Sequence, residues 1–260
     1  MKRIILGSRA IVTGASSGIG RETARELARQ GAKLALVARR EERLCELAAQ
    51  ITATGGRAEC VVGDITDPAV RGQAIEVVQR SFGGLDILVN NAGIGALGLF
   101  ENADRERVRR IMEVNFFALV EMTRLALPLL KQGTRPIVVN VSSILGHRGV
   151  PYNSEYSASK FAVHGFSESI RAEWTRQEID VLVVSPGTTE TEFFDKVIQR
   201  NGAPAWPEHT PVSAADVARQ IVCAIRQGRH EIVPYRWGKV LCWLNRLSPR
   251  LVDRLMARYV

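Results

Sequence analysis

Short apolar runs rich in β-branched residues alternate along the chain with longer stretches whose apolar side chains recur every three or four residues. The longer stretches, such as the one containing Leu44, Leu47 and Ala48, have the period of amphipathic helices. The short runs predict seven strands, at residues 10–13, 33–38, 58–62, 85–90, 136–141, 180–185 and 231–233. Uniformly apolar strands joined by helices are typical of a parallel sheet covered on both faces. We therefore expect one doubly wound α/β domain, with ligands bound at the carboxyl ends of its strands.

Residues 235–260 have a different pattern from residues 1–234, which we expect to form the single α/β domain. Two amphipathic helices are predicted in this tail, with Ser248 as N-cap and Pro249 as first-turn proline of the second. Their shared apolar stripe consists of Trp237, Val240, Leu241, Leu244, Leu247, Leu251, Val252, Leu255 and Tyr259. Lys and Arg fill the opposite face, so the tail either lies on an anionic membrane surface or packs over the substrate pocket or a partner subunit. The pattern leaves both interpretations open.

The composition is that of an ordinary globular protein of 260 residues, with 46% hydrophobic and 24% charged residues. The net charge of +8 is uneven, because residues 235–260 carry six basic side chains and one acidic side chain. The rest of the chain is nearly balanced and has no helix-turn-helix, zinc-finger or RNA-binding pattern. Nucleic acid is therefore not an expected partner.

Neither the cysteines nor the apolar runs indicate an extracellular or membrane-spanning protein. The four cysteines form no CxxC pair, which is typical of thiols in a reducing compartment. No apolar run reaches the ~18–20 residues of a membrane span, and the first residues lack the apolar centre of a signal peptide. We expect a cytoplasmic protein, with any membrane association arising from residues 235–260. The four histidines fit no metal-ligand spacing, so no metal site is predicted.

A glycine-rich segment, Thr-Gly-Ala-Ser-Ser-Gly-Ile-Gly at 13–20, ends the first predicted strand and opens the first predicted helix. Glycines at such a turn let the backbone approach a pyrophosphate, whose charge the helix N-terminus stabilises. The spacing is GxxxGxG rather than GxGxxG, so a plain structural turn remains an alternative. Gly14, Ser16 and Gly18 also spell the GxSxG of serine hydrolases. That interpretation is disfavoured because nothing precedes the strand that could supply the earlier oxyanion-hole loop.

The residues after the second predicted strand bear on the choice of nucleotide. A dinucleotide fold places either an acid for the ribose 2′-hydroxyl or an arginine for a 2′-phosphate about 20 residues beyond the glycines. Arg39 and Arg40 occupy this place, and the first acid is Glu41. The spacing favours NADP(H) over NAD(H), unless both arginines are only the solvated start of the next helix.

Tyr156 and Lys160 are the strongest candidates for acid–base chemistry. Their i, i+4 spacing puts a phenol and an ammonium on one face of a predicted helix. A free tyrosine has a pKa near 10, and a cation about 4 Å away can supply on the order of 4 kcal/mol toward lowering it. A YxxxK pair alone is common by chance, so an exposed helix face remains the alternative for this motif taken by itself.

Taken together, these motifs resemble the short-chain dehydrogenase/reductase family over about 230 residues. Thr13–Gly20 is similar to the family's TGxxxGIG turn, residues 90–93 to its NNAG segment, and Tyr156 with Lys160 to its YxxxK pair. Further matches are Ser143 on the serine strand, Asn115 on the fourth helix, Pro186, Gly187 and Thr191 in a PGxxxT segment, and Asp64 after the third strand. The resemblance implies a Rossmann-like, seven-stranded sheet and a homodimer or homotetramer built on the helices around Asn115 and Tyr156.

The resemblance also implies the roles of the site residues. Tyr156 is expected to exchange a proton with the substrate oxygen, and Ser143 to hydrogen-bond that oxygen. Lys160 is expected to lower the pKa of Tyr156 and to hold the nicotinamide ribose, and Asn115 to bind, through its main chain, a water that links Lys160 to solvent. The full set expected to bind the cofactor is Gly14, Ser16, Ser17, Gly18, Ile19, Gly20, Arg39, Arg40, Asp64, Ile65, Asn91, Ala92, Gly93, Tyr156, Lys160, Pro186, Gly187, Thr189 and Thr191.

The expected function is NADP(H)-dependent interconversion of a carbonyl and an alcohol on a small hydrophobic substrate. The residues expected to line the substrate pocket are Ile94, Ser143, Leu145, Tyr152, Thr188, Phe193, Phe194 and Trp206. The last three belong to an irregular stretch, 187–211, with the length of a lid. Two alternatives remain, an NAD(H)-dependent alcohol or steroid-type dehydrogenase and a membrane-surface cofactor-binding protein with little turnover.

Overall fold

A computed structural model describes residues 2–193, 197–198, 200–201 and 210–259. Within them, seven parallel strands form the main sheet: β1 (Arg9–Thr13), β2 (Lys33–Ala38), β3 (Arg57–Val62), β4 (Ile87–Asn90), β5 (Ile137–Val141), β6 (Asp180–Val184) and β7 (Glu231–Ile232). Their spatial order is β3–β2–β1–β4–β5–β6–β7. Every predicted strand is confirmed, with ends that shift by at most two residues, as at β4.

Helices connect the strands and cover both faces of the sheet. They are α1 (Gly18–Arg29), α2 (Glu41–Ala53), α3 (Pro68–Phe82), α4 (Arg105–Met112), α5 (Ala118–Leu130), α6 (Ser154–Glu173), α7 (Ala214–Gln227), α8 (Arg236–Leu247) and α9 (Pro249–Met256). A π-helical turn, Glu113–Phe117, joins α4 to α5. The predicted doubly wound α/β domain is therefore confirmed.

Alternate residues of the same strand enter two separate cores. In β1, Val12 packs on the face with α1, α2 and α7, whereas Ile11 packs on the face with α3, α5 and α6. In β2, Leu36 and Val37 divide in the same way. Since successive side chains of a strand point to opposite faces, a strand buried on both sides must be apolar throughout, which is the pattern that the sequence shows.

The strand order reverses between β1 and β4, and this fixes where a ligand can bind. Both strands are paired in parallel, with Val12 opposite Val89. Connections leave β1 toward β2 and β4 toward β5, on opposite sides, so a crevice opens beyond their carboxyl ends. Two short strand pairs, Leu97–Gly98 with Arg200–Asn201 and Thr189–Glu190 with Val212–Ser213, lie in the loops that extend this crevice.

The predicted break between the two tail helices lies at Ser248 and Pro249. Ser248 occupies the N-cap position and Pro249 the first turn of α9, although the Ser248 side chain makes no capping hydrogen bond. Arg148 anchors both helices to the domain, through a 3.1 Å hydrogen bond to Asn245 and an ion pair with Asp253. None of the helices in the described part of the chain combines the length and the apolar character needed to cross a bilayer.

Candidate active site

A cavity of about 1080 Å³ occupies the crevice at the carboxyl ends of the strands. The expected cofactor residues that line it are Gly14, Ser16, Ser17, Gly18, Ile19, Arg39, Arg40, Asp64, Ile65, Asn91, Ala92, Gly93, Tyr156, Lys160, Pro186, Gly187, Thr189 and Thr191. The cavity is continuous from the arginines that follow β2 to the tail helices. One elongated space therefore joins the predicted nucleotide-binding residues to the predicted catalytic ones.

The glycine turn between β1 and α1 leaves no room for side chains. Gly14 and Gly18 have φ values of 66° and 55°, in the left-handed region that favours glycine. A Cβ on Gly14 would come within 2.8 Å of Asn91 Nδ2, and a Cβ on Gly18 within 2.9 Å of Thr191 Cγ2. The N-terminus of α1 thus faces the cavity, and the glycines leave its main chain uncovered by side chains. This arrangement fits the pyrophosphate of a dinucleotide.

Gly20 has a packing role and does not line the cavity, contrary to the sequence-based expectation. A Cβ at this position would lie 2.3 Å from Asn91 Nδ2 and 2.4 Å from the Gly14 carbonyl oxygen. Asn91 Nδ2 itself donates to the main-chain oxygens of Thr13 and Gly14, at 3.0 and 3.3 Å. The absence of a side chain at position 20 therefore lets Asn91 brace the turn from behind.

Arg40 and Arg39 lie at the end of the cavity beyond β2 but make different contacts. The Arg40 guanidinium donates to the hydroxyl oxygens of Ser16, at 3.2 Å, and Ser17, and forms a 2.9 Å ion pair with Glu192. Arg39 is more exposed and lies 3.7 Å from Asp64. Arg40 is therefore the arginine that is held directly over the glycine turn.

Ser143, Tyr156 and Lys160 meet at the other end of the cavity. Ser143 follows β5 and caps a short 3₁₀ turn, where its Oγ accepts a 3.2 Å hydrogen bond from the Leu145 N–H. Tyr156 and Lys160 lie one turn apart on α6, with Lys160 Nζ 5.6 Å from the centroid of the Tyr156 ring. Lys160 is only 4% exposed, and its ammonium donates to the Val141 carbonyl at 3.0 Å.

Burial governs the ionisation of the two residues on α6. Desolvation raises the pKa of Tyr156 to about 12, against the effect of a hydrogen bond with Ser143 that lowers it. Desolvation also lowers the pKa of Lys160 to about 8. The expected lowering of the Tyr156 pKa by Lys160 is not found, because desolvation dominates. Tyr156 is therefore a neutral phenol near pH 7 and can donate a proton, while Lys160 remains mainly an ammonium.

Asn115 does not line the cavity but positions Ile94, which does. Its side-chain Oδ1 accepts from the Ile94 N–H at 2.8 Å, and its Nδ2 donates to the Ile94 carbonyl and to Ser159 Oγ, both at 3.0 Å. Asn115 lies in the π-helical turn before α5, and such turns are frequent at functional sites. The side chain thus fixes the segment after β4 against α6.

The substrate end of the cavity matches the sequence-based expectation in part. Ile94, Ser143, Leu145, Thr188 and Phe193 line it, whereas Phe194 and Trp206 lie outside the described residues. Tyr152, which was also expected there, does not border the cavity. Its backbone turns into the left-handed region, with φ of 65°, and its carbonyl accepts a 2.9 Å bond from the Gly98 N–H.

The tail contributes several residues to the cavity lining that were not among the expected pocket residues. Tyr235, Trp237, Gly238, Val240, Leu241, Leu244 and Met256 border the cavity. Their apolar stripe was the signal in the sequence, and its position at the cavity agrees with the interpretation that the tail packs over the pocket. The Tyr235 ring packs directly on Gly187, where a Cβ would come within 2.4 Å of it, so the absence of a side chain at position 187 makes room for the ring.

Comparisons with known proteins agree with this geometry. The family model described as short chain dehydrogenase matches residues 8–202. A protein named dehydrogenase/reductase SDR family member 7B, from Bos taurus, is 34% identical over 269 residues, covering 99% of this chain and 82% of the relative. An 11-beta-hydroxysteroid dehydrogenase-like 4A protein from Arabidopsis thaliana is 37% identical over 251 residues, covering 95% and 82%.

Two solved structures share the architecture. A short chain dehydrogenase/reductase from Burkholderia phymatum, in complex with NAD, superposes with a TM-score of 0.87 at 24% identity, over 96% of each chain. A short chain dehydrogenase from Burkholderia cenocepacia, in complex with NADP, has a TM-score of 0.79 at 30% identity, over 89% of this chain and 97% of the other. On the family match, the sequence relatives and the cavity geometry, this chain belongs to the short-chain dehydrogenase/reductase family of nicotinamide-dependent oxidoreductases.

Proposed function

We propose that the protein is an NADP(H)-dependent oxidoreductase that interconverts a carbonyl and an alcohol on a small hydrophobic substrate. The observation that carries this proposal is the meeting of Ser143, Tyr156 and Lys160 at the apolar end of the cavity whose other end holds Arg40 and the glycine turn. The direct test is consumption of NADPH with a panel of apolar ketones and aldehydes. Turnover on at least one of them is expected, and binding of NADPH without turnover on any would contradict the proposal.

Tyr156 acts as the proton donor and acceptor in this proposal. A bound nicotinamide supplies or takes up the hydride. As a carbonyl is reduced, negative charge grows on its oxygen, and the neutral Tyr156 phenol donates its proton to that oxygen. In the reverse direction Tyr156 must first be present as the phenolate, which accepts the proton of the alcohol as the hydride leaves for the nicotinamide.

Ser143 stabilises the same oxygen. Its Oγ already accepts the Leu145 N–H, so the hydroxyl proton is free to point at a substrate oxygen or at Tyr156. A donor held in place before the reaction stabilises developing charge without having to reorient, which is why such donors have large effects on rate.

Lys160 binds the ribose of the nicotinamide half and supplies positive charge behind Tyr156. One of its three N–H groups bonds to the Val141 carbonyl, which fixes the ammonium in the wall of the cavity. The others remain for ribose hydroxyls and for a water held by the Asn115 main chain. We assign Asn115 this relay position because it lies in a π-helical turn and its side chain packs on α6.

The preference for NADP(H) follows from Arg40 and Arg39. Arg40 is held beside Ser16 and Ser17, where a guanidinium can bind a 2′-phosphate together with two hydroxyl groups. Asp64 and Ile65, which line the cavity after β3, border the adenine. An NAD(H)-dependent alcohol or steroid-type dehydrogenase is the alternative, and the two are separated by comparing the affinities for NADPH and NADH.

The substrate is a hydrophobic carbonyl compound or alcohol. The lining near Tyr156 combines Ile94, Leu145 and Phe193 with the apolar stripe of α8, and Phe193 packs 5.5 Å from the Tyr156 ring, centroid to centroid. Apart from Ser143 and Tyr156 this end offers mainly apolar surface, which favours a substrate whose reacting oxygen is its principal polar group. The steroid-like name of one relative agrees with this class.

A second surface of the tail fits an anionic membrane. Trp243 and Leu247, which do not line the cavity, are 69% and 68% exposed on α8, and Lys239, Arg250 and Arg254 are exposed on α8 and α9. Large exposed apolar side chains with Lys and Arg side chains around them favour peripheral contact with anionic lipid. Co-sedimentation with vesicles rich in anionic lipid is expected for the wild type and not for Trp243→Glu, whereas equal pelleting of both would contradict this contact. If the wild type bound lipid but reduced no carbonyl, the alternative of a membrane-surface cofactor-binding protein would replace the enzymatic proposal.

Assembly into a homodimer or homotetramer fits the face of the domain that carries α5 and α6. Phe117, Leu125 and Phe161 are 49%, 41% and 46% exposed on the helical layer formed by α5 and α6. Exposed apolar side chains that share a helical face are typical of subunit interfaces. Sedimentation velocity is expected to give a dimer or tetramer for the wild type and a smaller species for Phe161→Glu.

A further inference from the structure

Three potential metal ligands from separate parts of the chain meet on the far side of the turn that follows Ser143. His147 ends that turn, His164 lies on α6 one helical turn beyond Lys160, and Glu231 is the first residue of β7. Their candidate ligand atoms all lie within 4.8 Å of one another, and His147 Nε2 is 2.9 Å from Glu231 Oε1. None of the three lines the cavity, so the cluster is separate from the proposed active site.

The spacing of these atoms is close to that of a metal coordination sphere. Zn–N and Zn–O bonds of ~2.0–2.2 Å at tetrahedral angles place neighbouring ligand atoms about 3.3 Å apart. His147 Nε2 and Glu231 Oε1 are 2.9 Å apart and no pair of ligand atoms is separated by more than 4.8 Å, so modest side-chain rotations bring all three atoms to one ion. Two imidazole nitrogens with one carboxylate oxygen form a donor set that suits Zn²⁺ and neighbouring divalent transition metals.

Ser185 lies between the two imidazoles and interacts with both. Its Oγ lies 3.1 Å from His147 Nε2 and 3.2 Å from His164 Nε2. The two ring nitrogens that would bind an ion are therefore directed at one small volume, bordered by the Glu231 carboxylate. Lys160 and Arg171, both on α6, are cations whose charge acts on His164. Lys160 donates to the Val141 carbonyl, and Arg171 donates to the main-chain oxygens of Val181 and His230.

We propose that His147, His164 and Glu231 form a binding site for a divalent transition-metal ion of the Zn²⁺ type. Ser185 or a water completes the coordination. β7 pairs with β6 through only two residue positions, Glu231 with Val183 and Ile232 with Val184. An ion held here ties this short edge strand to α6 and to the turn that carries Ser143, so its effect is on stability rather than on the chemical step.

The test uses untagged, full-length protein treated with a chelator and then dialysed. Calorimetric titration with Zn²⁺ is expected to give one ion per chain, and titration with Co²⁺ a visible absorption band typical of nitrogen and oxygen ligands in low coordination number. At a hundredfold excess of Zn²⁺ over its Kd, the midpoint of thermal unfolding is expected to rise by about 5 to 10 °C.

Substitution of single ligands separates this site from adventitious binding. His164→Gln and Glu231→Gln are each expected to weaken Zn²⁺ binding by at least about tenfold and to remove the Co²⁺ band. His230→Gln removes an exposed histidine next to Glu231 and serves as the matched control, with unchanged binding. If His164→Gln does not fold, Glu231→Gln, which alters an exposed side chain, decides the question. Unchanged Zn²⁺ affinity in the ligand variants, or the same loss in His230→Gln, would overturn the proposal and leave a hydrogen-bonded His–Ser–His–Glu cluster.

Discussion

Arg40 forms a 2.9 Å ion pair with Glu192 across the mouth of the cavity. Arg43, one turn further along α2, bonds to the other carboxylate oxygen of Glu192. The arginine that we assign to a 2′-phosphate is thus held by an internal anion, and the loop that carries Glu192 is joined to the glycine turn through Arg40. Both the choice of coenzyme and its affinity are expected to depend on this pair.

Replacement of Arg40 by alanine should discriminate between the two coenzymes. Arg40→Ala removes the charge-assisted hydrogen bonds to a 2′-phosphate, so the Kd for NADPH should rise by about tenfold or more while the Kd for NADH changes less than about twofold. Arg39→Ala should act in the same direction. Arg29→Ala, at the far end of α1, is the control, and equal losses for both coenzymes in Arg40→Ala would refute the assignment.

Neutralising Glu192 should have the opposite effect. Glu192→Gln removes a negative charge beside the proposed phosphate position, so NADPH should bind about two- to fivefold more tightly, with little change for NADH. Glu190→Gln changes an exposed carboxylate two residues earlier and should leave both affinities unaltered. Tighter binding of both coenzymes would show that the effect does not involve the 2′-phosphate.

The buried pair of Arg107 and Glu155 should support the helix that carries Tyr156. Arg107 Nη2 and Nε lie 2.6 and 3.0 Å from Glu155 Oε1, and both side chains are removed from solvent. Arg107→Met leaves a buried carboxylate without this partner, which should lower the free energy of unfolding by about 3–5 kcal/mol. Urea unfolding measures this loss, and Arg107→Met/Glu155→Met should recover most of it.

The same pair predicts a dependence of stability on pH. Burial acts to raise the pKa of Glu155, but hydrogen bonds from Arg107 and Ser154 outweigh it and hold the pKa below its usual value. The stability from this group is therefore present above the pKa of the unfolded chain and is lost as the pH falls through the lower folded value. The difference between wild type and Arg107→Met should shrink near pH 4. If the difference in stability between wild type and Arg107→Met instead grew as the pH fell, the assigned direction of the Glu155 pKa shift would be wrong.

Lys160 should set the alkaline limb of carbonyl reduction. Its pKa is lowered to about 8 by burial, whereas that of Tyr156 is raised to about 12, so the first group to lose its proton above neutrality is the ammonium. The rate of reduction should fall above about pH 8 as the positive charge is lost. Lys160→Met should be slow and nearly independent of pH from about 6 to 9, and an unchanged alkaline limb in that variant would exclude Lys160 as its origin.

The fold could be predicted because its signals are local. Each strand is a short run of apolar residues, because its successive side chains enter cores on opposite faces of the sheet. Ile11 and Val12 of β1 illustrate this, since they belong to different cores. Most of the candidate site could also be predicted, since Gly14, Gly18, Tyr156 and Lys160 have fixed spacings within single segments. The tail stripe left a membrane-surface role and a packing role open, and it did not indicate which of its residues border the cavity.

What escaped prediction depends on contacts between distant segments. The Arg40–Glu192 pair and the His147–His164–Glu231 cluster join residues from different connections of the sheet, and no spacing along the chain encodes them. Gly20 and Tyr152, which were both expected at the site, do not line the cavity, for a related reason. The packing of Asn91 against Gly20 and the left-handed backbone at Tyr152 decide which atoms reach the cavity.

The most direct test of the central claim is the rate of carbonyl reduction by Tyr156→Phe. This change removes the phenolic proton and keeps the ring, so kcat/KM for an apolar ketone that the wild type reduces should fall by at least about a hundredfold. The Kd for NADPH should stay within about twofold, and Tyr152→Phe, a tyrosine outside the cavity lining, should retain full activity. Reduction by Tyr156→Phe within about tenfold of wild type, with NADPH still bound, would contradict the account.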